Sequence, residues 1–185
     1  MRVTELELPG VKLLEPDLHR DDRGWFRETW RRDRYAELGV AEDFVQDNHS
    51  RSRQGVLRGL HFQRRHPQGK LLTVLRGRIY DVVAEIRPQS PCHRRWVAVE
   101  LDDETGAQLY VPPGYAHGFV VLSEQADVAY RCSAYYVPGD DGGVIWNDPD
   151  LAIDWPVSDP LLSAKDAELP PLAKLTENSL PQWPG

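Results

Sequence analysis

The chain is predicted to be all-β: an antiparallel sandwich or barrel with a few short helices. Three observations carry that expectation. Short runs rich in β-branched and aromatic residues recur through the middle of the chain. Clusters of Gly, Pro and Asp punctuate them roughly every ten residues. Only one stretch has the composition of a helix longer than a turn or two. At 185 residues one domain is the default, and the chain is long enough to bury a substantial core.

Residues 1–50 read as an extended N-terminal segment with one helix at 31–38. There RRDRYAEL is rich in good helix formers, and Gly39 supplies the stop. The barrel is expected over about 51–137. In it LLTVL at 71–75 and IYDVVAEI at 79–86 are strands joined by RGR at 76–78, a hairpin signal. WVAVEL at 96–101 alternates apolar and polar residues, and DDETG at 102–106 turns the chain into QLYV at 108–111. PPG at 112–114 breaks it again before HGFVVL at 117–122, and 128–136 is a further strand. Residues 138–185 are acidic and proline-rich, a wrap laid over the outside of the barrel with a short helix near Ser163. SAKD at 163–166 fits a helix capping box there.

The formal net charge of −7 is unevenly spread. Residues 1–100 hold 19 Lys/Arg against 15 Asp/Glu, and residues 101–185 hold 3 against 14. An acidic protein is repelled by nucleic acids and anionic membranes, so neither is expected as a partner. No run of 18 apolar residues could span a bilayer. The N-terminus carries acids where a signal peptide needs an apolar stretch, so a cytoplasmic location is expected. Cys92 and Cys132 have no CxxC spacing and read as reduced, buried thiols. Five arginines and three histidines fall within 49–66 with no acid among them. That stretch is either a solvated guard on an edge strand or a clamp for phosphate.

His61 lies in GVLRGLHFQ at 55–63, and His117 in PPGYAHGF at 112–119. The second segment has the Pro-x-Gly-x-x-His shape of cupin barrels, in which a tight turn delivers a histidine into the barrel mouth. Metal-binding cupins add a His-x-His pair and a Glu, but HFQ at 61–63 has no carboxylate in the next eleven residues. Two histidines alone are a poor donor set, so no metal is expected. The barrel's polar groups must then act directly. A barrel histidine is often only a hydrogen-bonded core residue, but Arg58 and Lys70 beside His61 favour chemistry. Period-two alternation puts Gln63 on the His61 face and Arg58 on the other, unless Gly59 relaxes the strand by a bulge. Tyr130 shares a strand face with Val128 and Cys132 and reads as a buried phenol, while Asp166 reads first as a capping residue.

Taken together, these segments resemble one family. DDRGWFRETW at 21–30, FVQDNHS at 44–50, GVLRGLHFQ at 55–63, PQGKLLTVLRGRIYDV at 67–82, YVPPGYAHGFVVLS at 110–123, AYRCSAYY at 129–136, IWNDPDLAIDWP at 145–156 and LLSAKD at 161–166 occur in the order of the dTDP-4-dehydrorhamnose 3,5-epimerases. The resemblance implies a cupin-type antiparallel jelly-roll barrel, a dTDP-4-keto-6-deoxyhexose substrate and no cofactor. It also implies a homodimer whose N-terminal segments reach towards the neighbour's site. By the same resemblance His61 is the general base oriented by Asp166, Tyr130 the acid on the opposite face of the sugar, and Lys70 the lysine near the 4-keto oxygen. Arg23, Phe26, Glu28, Gln46, Asn48, Arg58, His117, Asp141 and Lys165 match substrate-binding positions. The implied reaction inverts carbons 3 and 5 of dTDP-4-dehydro-6-deoxy-D-glucose. A single-carbon epimerase, a non-catalytic nucleotide-sugar-binding cupin and a metal-dependent cupin oxygenase are the alternatives. Three positions depart from the family's usual pattern: Glu85 stands for an Asp, Asp141 for a Glu, and PCHRR at 91–95 for a small Gly-containing turn.

Overall fold

Period-two apolar patterning dictates strands, and the computed structural model, which describes residues 1–183, is built almost wholly from them. The N-terminal segment supplies β1 (Arg2–Glu5), β2 (Lys12–Glu15), the hairpin of β3 (His19–Asp21) and β4 (Gly24–Phe26), and helix α1 (Arg32–Glu37). Then follow β5 (Gln46–Arg53), β6 (Leu57–Gln63), β7 (Lys70–Arg76), β8 (Arg78–Ala84), β9 (Trp96–Asp102), β10 (Gln108–Val111), β11 (Ala116–Val121) and β12 (Gln125–Cys132). The tail adds β13 (Asp141–Gly143) and α2 (Ala164–Ala167).

Two antiparallel sheets face each other. One runs β1-β2-β10-β7-β12-β5 and the other β13-β6-β11-β8-β9. Successive strands mostly alternate between them, the connectivity of a jelly-roll barrel. The interior is apolar, with Leu72, Val74 and Val128 from one sheet meeting Val83, Val97 and Phe119 from the other. Helix α1 lies over the outer face of the first sheet, where Tyr35 packs with Leu14, Leu71 and Tyr110. It ends as read from the sequence, with Leu38 as the C-cap and Gly39 at φ 80°.

Two expectations are corrected. RGR at 76–78 does not make a hairpin: β7 pairs with β10 and β12, while β8 pairs with β11 and β9. Gly77, at φ 82°, is a corner between sheets, and a Cβ there would run into Gln125 O and Ser123 Oγ. The corner stacks Leu72 and Val74 over Ile79 and Val83 across the core instead of setting the strands side by side. The strand read at 128–136 runs instead over Gln125–Cys132. Beyond it the backbone turns to the β6–β7 connection, with Ala134 O accepting from Gln68 Nε2 at 2.8 Å and Tyr135 O from Gln63 Nε2 at 3.2 Å.

The tail packs against the second sheet. Val144, Leu151, Trp155, Leu172 and Leu180 cover Leu57, Leu60, Val82 and Val120 on the outer face of the second sheet. It continues past α2 through 3₁₀ turns at Leu172–Lys174 and Glu177–Ser179. Both cysteines are free thiols. Among the described residues no helix is long and apolar enough to cross a membrane.

The strand that carries His61 has the bulge that Gly59 allows. Along β11, His117 faces His61 and Phe119 faces Arg58, so β6 holds one residue more than its partner. Gly59 sits at φ 129°, and a Cβ there would lie 2.5 Å from Gly118 Cα and 2.9 Å from His117 O. Only glycine fits. Gly59→Ala is therefore expected to cost about 1–3 kcal/mol, seen as a lower thermal midpoint; an unchanged midpoint would show that the strand is not pinned there.

Candidate active site

The open end of the barrel holds a cavity of about 310 Å³. Seven of the residues singled out from the sequence line it: Gln46 and Asn48 of β5, His61 of β6, Lys70 at the start of β7, Tyr130 of β12, Asp141 of β13 and Lys165 of α2. Register explains the convergence. Tyr130 lies opposite Asn48, and Cys132 lies between Gln46 and Lys70. On strands, alternate residues share a face, so these side chains turn inwards together.

His61 Nε2 and an Asp166 carboxylate oxygen are 2.6 Å apart. Asp166 is brought there by helix α2, whose N-cap Ser163 accepts the Asp166 backbone N–H at 3.0 Å. Asp166 thus serves the helix cap through its backbone and meets His61 through its carboxylate. Burial works to raise the Asp166 carboxyl, but hydrogen bonds from His61, Ser163 and the Gly59 backbone, with the His61 charge, hold it below the usual carboxylate range. An acceptor on Nε2 leaves Nδ1 as the nitrogen free to take a proton.

A second histidine–carboxylate pair stands on the neighbouring strands. His117, opposite His61, lies 2.8 Å through its Nε2 from Asp81 of β8, and both are buried. The other Asp81 oxygen is buried without a hydrogen-bond partner. Sequence reasoning missed Asp81, although a single acid inside the apolar run IYDVVA was the available signal. Lys70 is held among these groups. Burial lowers its pKa, against an upward pull from Cys132 and Asp81. Burial raises the Tyr130 phenol, helped by Cys132 and opposed by Arg58, so it keeps its proton at neutral pH. Arg58 itself is anchored by Nε donating to Ser52 Oγ at 3.0 Å.

At the mouth, Lys165 pairs with Asp141, and Tyr136 donates its hydroxyl to the same carboxylate at 3.1 Å. The Lys165 hydrogen bond, opposed by burial and helped by Tyr136, lowers the Asp141 pKa. Arg23, Phe26 and Glu28 are not brought to this cavity. Arg23 pairs with Asp21 on the exposed hairpin, Phe26 is 70% exposed, and Glu28 accepts from Arg34 at 2.9 Å. Among the described residues no three His, Cys, Asp or Glu side chains are grouped to hold a metal ion. The cavity can remove a proton from a carbon acid, supply one from a phenol and place positive charge beside an oxygen that becomes anionic.

Residues 5–174 match the model of the dTDP-4-dehydrorhamnose 3,5-epimerase family. The dTDP-4-dehydrorhamnose 3,5-epimerase of Salmonella typhimurium is 47% identical over 182 residues, spanning 96% of this chain and 100% of that protein. The crystal structure of a dTDP-6-deoxy-D-glucose-3,5-epimerase from Legionella pneumophila in complex with dTDP-4-keto-L-rhamnose is similar at a TM-score of 0.96 and 44% identity, covering 100% of this chain and 99% of that one. A 3′-monoepimerase from Streptomyces bikiniensis in complex with dTDP-quinovose gives a TM-score of 0.89 and 34% identity, over 96% and 91% of the two chains.

The lowered Asp166 carboxyl has a consequence for stability. A carboxylate whose folded pKa is depressed stabilises the fold above its unfolded value, and that contribution fades as pH falls through the folded one. The stability advantage of the wild type over Asp166→Asn is therefore expected to shrink as pH falls below about 4. Urea unfolding of both proteins across the acid range checks this; a constant difference would mean that the pair contributes nothing through charge.

Proposed function

The chain belongs to the dTDP-4-dehydrorhamnose 3,5-epimerase family, and from that premise we propose that it inverts carbons 3 and 5 of dTDP-4-dehydro-6-deoxy-D-glucose to give dTDP-4-dehydro-L-rhamnose. The observation that carries the reading is the set of His61, Tyr130 and Lys70 around one cavity, with Asp166 behind the histidine. The greater identity to the Salmonella 3,5-epimerase, 47% against 34% for the monoepimerase, supports inversion at both carbons.

The 4-keto group makes the hydrogens on carbons 3 and 5 acidic, because loss of either gives an enolate. That carbon acid is still far weaker than an imidazolium of pKa about 6.5, so the enolate oxygen must be stabilised. Lys70 is a donor for it, and His117 is a second when both its ring nitrogens carry protons, Nε2 towards Asp81 and the other for the oxygen. Preorganised donors of this kind contribute roughly 3–4 kcal/mol each. His61 takes the proton at Nδ1 while Asp166 fixes the tautomer and supports the imidazolium as it forms. Tyr130, which keeps its proton at neutral pH, returns one from the opposite face, and inversion follows. The chemistry needs no cofactor. Gln46, Asn48, Arg58, Asp141 and Lys165 bind the nucleotide-sugar, Arg58 and Lys165 with the positive charge that a diphosphate requires. A cytoplasmic setting goes with this reading and with two free thiols.

Arg23, Phe26 and Glu28 join this site from a second copy. What supports a homodimer is the β3–β4 segment itself, which carries Trp25 and Phe26 half or more exposed and holds Arg23 away from its own cavity. An exposed aromatic pair on a projecting hairpin is the kind of surface that a partner covers.

In heavy water the product is expected to carry two solvent-derived deuterons, at carbons 3 and 5, read by NMR. One deuteron would reduce the reaction to single epimerisation, and none would leave a binding protein. The dimer is tested by mixing two variants that are each expected to be nearly inactive, His61→Ala and Arg23→Ala. A mixed dimer with exchanged hairpins holds one intact site, so re-formed mixtures should regain roughly a quarter of wild-type activity. No recovery would put Arg23 in its own protomer's site, and an active Arg23→Ala would put it outside any.

A further inference from the structure

Past the end of β8 the chain makes a cluster that proton transfer does not use. Glu85 and Arg87 are fully buried and pair twice, Arg87 Nε to Oε1 at 2.7 Å and Nη2 to Oε2 at 2.6 Å. The third nitrogen of Arg87, Nη1, donates to Pro113 O at 3.3 Å. The flat guanidinium lies between two aromatic rings, 4.5 Å from the centre of Tyr115 and 4.6 Å from that of Trp183. Arginine is suited to such a place because it can pair in its plane and stack on its faces at once.

This cluster backs directly onto the site. The turn at 112–114 leads into His117, and at Gly114 (φ 96°) a Cβ would lie 2.5 Å from Arg87 Nη1. On its other side Pro113 packs against Gly69, where a Cβ would stand 3.3 Å from Pro113 Cδ. Gly69 immediately precedes Lys70. The turn held by Arg87 therefore adjoins the backbone of both donors assigned to the enolate oxygen. Trp183 arrives from the end of the tail, beyond the residues 5–174 matched by the family model. Its approach is fixed by Leu180, buried against the second sheet, and by Asn178 O, which accepts from Arg64 Nη1 at 3.3 Å.

We propose that Trp183 and Arg87 are positioning residues: the tail closes an aromatic clamp on the guanidinium, which holds the 112–114 turn and so keeps His117 and Lys70 aligned with the enolate oxygen. The inference rests on the assignment of those two donors. Its signature is a loss in turnover without a loss in substrate binding, because the nucleotide-binding residues lie on β5, β6, β13 and α2. Alignment errors of a fraction of an ångström are enough to slow a reaction measurably.

The test uses the full chain. Trp183→Ala should lower kcat about 3- to 10-fold with KM within about twofold, and Trp183→Phe should restore most of the loss. Gly114→Ala, which drives a Cβ towards Arg87, should shift kcat in the same direction. Unchanged kcat with a lower thermal midpoint would make the clamp a structural anchor only and overturn the proposal, as would a rise in KM alone. His61→Ala in the same assay separates the two readings. If it turns over like the wild type the proton-transfer scheme fails, whereas an inactive His61→Ala beside a fully active Trp183→Ala sinks the clamp alone.

Discussion

The site depends on one hydrogen bond between distant parts of the chain: the 2.6 Å contact of the Asp166 carboxylate with the His61 imidazole. His61 belongs to a barrel strand that can hold it only because Gly59 and Gly118 bring two backbones into contact. Asp166 belongs to a four-residue helix that could not persist alone and is fixed by its Ser163 cap and by the tail packed around it. Each half is therefore positioned by a different part of the fold. Without the carboxylate the histidine would have neither a set tautomer nor support for the charge that the proposed proton transfer places on it. The apolar core, the bulge and the wrap all serve to bring those two groups together.

Charge is distributed around that contact with economy. Lys70 and His61 line the cavity, Asp166 is hydrogen-bonded behind His61, His117 stands opposite His61 on the next strand, and Asp81 is fully buried beside His117. Such an acid would be costly in an apolar core unless its charge were matched. It is matched by His117 through a hydrogen bond and by Lys70 through space. Tyr130 needs the opposite treatment. Its surroundings disfavour ionisation, which suits the proton-donating role proposed for it.

Much of this was legible in the sequence, and the failures are instructive. Strands are visible because side chains alternate with period two, and Gly39, Gly106 and the PPG turn mark real breaks. Sheet membership is not visible. RGR at 76–78 has the composition of a hairpin, yet whether two consecutive strands pair or cross to facing sheets depends on which partners compete for their edges. The capping box at Ser163 could be read locally, but the direction of the Asp166 carboxylate could not, since its partner lies 105 positions away. Asp81 was overlooked because a lone acid in an apolar run has no local partner to announce it. Glu85, Arg87 and Trp183 are likewise ordinary residues until the tail returns to the barrel end.

That return has a bearing on how the protein is made. His61 leaves the ribosome 105 residues ahead of Asp166, which at about 5–20 residues per second is an interval of several seconds. During it the nascent barrel already carries its imidazole, its phenol and its lysine, but not the carboxylate that hydrogen-bonds the imidazole. Translation order thus leaves the His61–Asp166 pair to be completed only when the tail folds back onto the barrel.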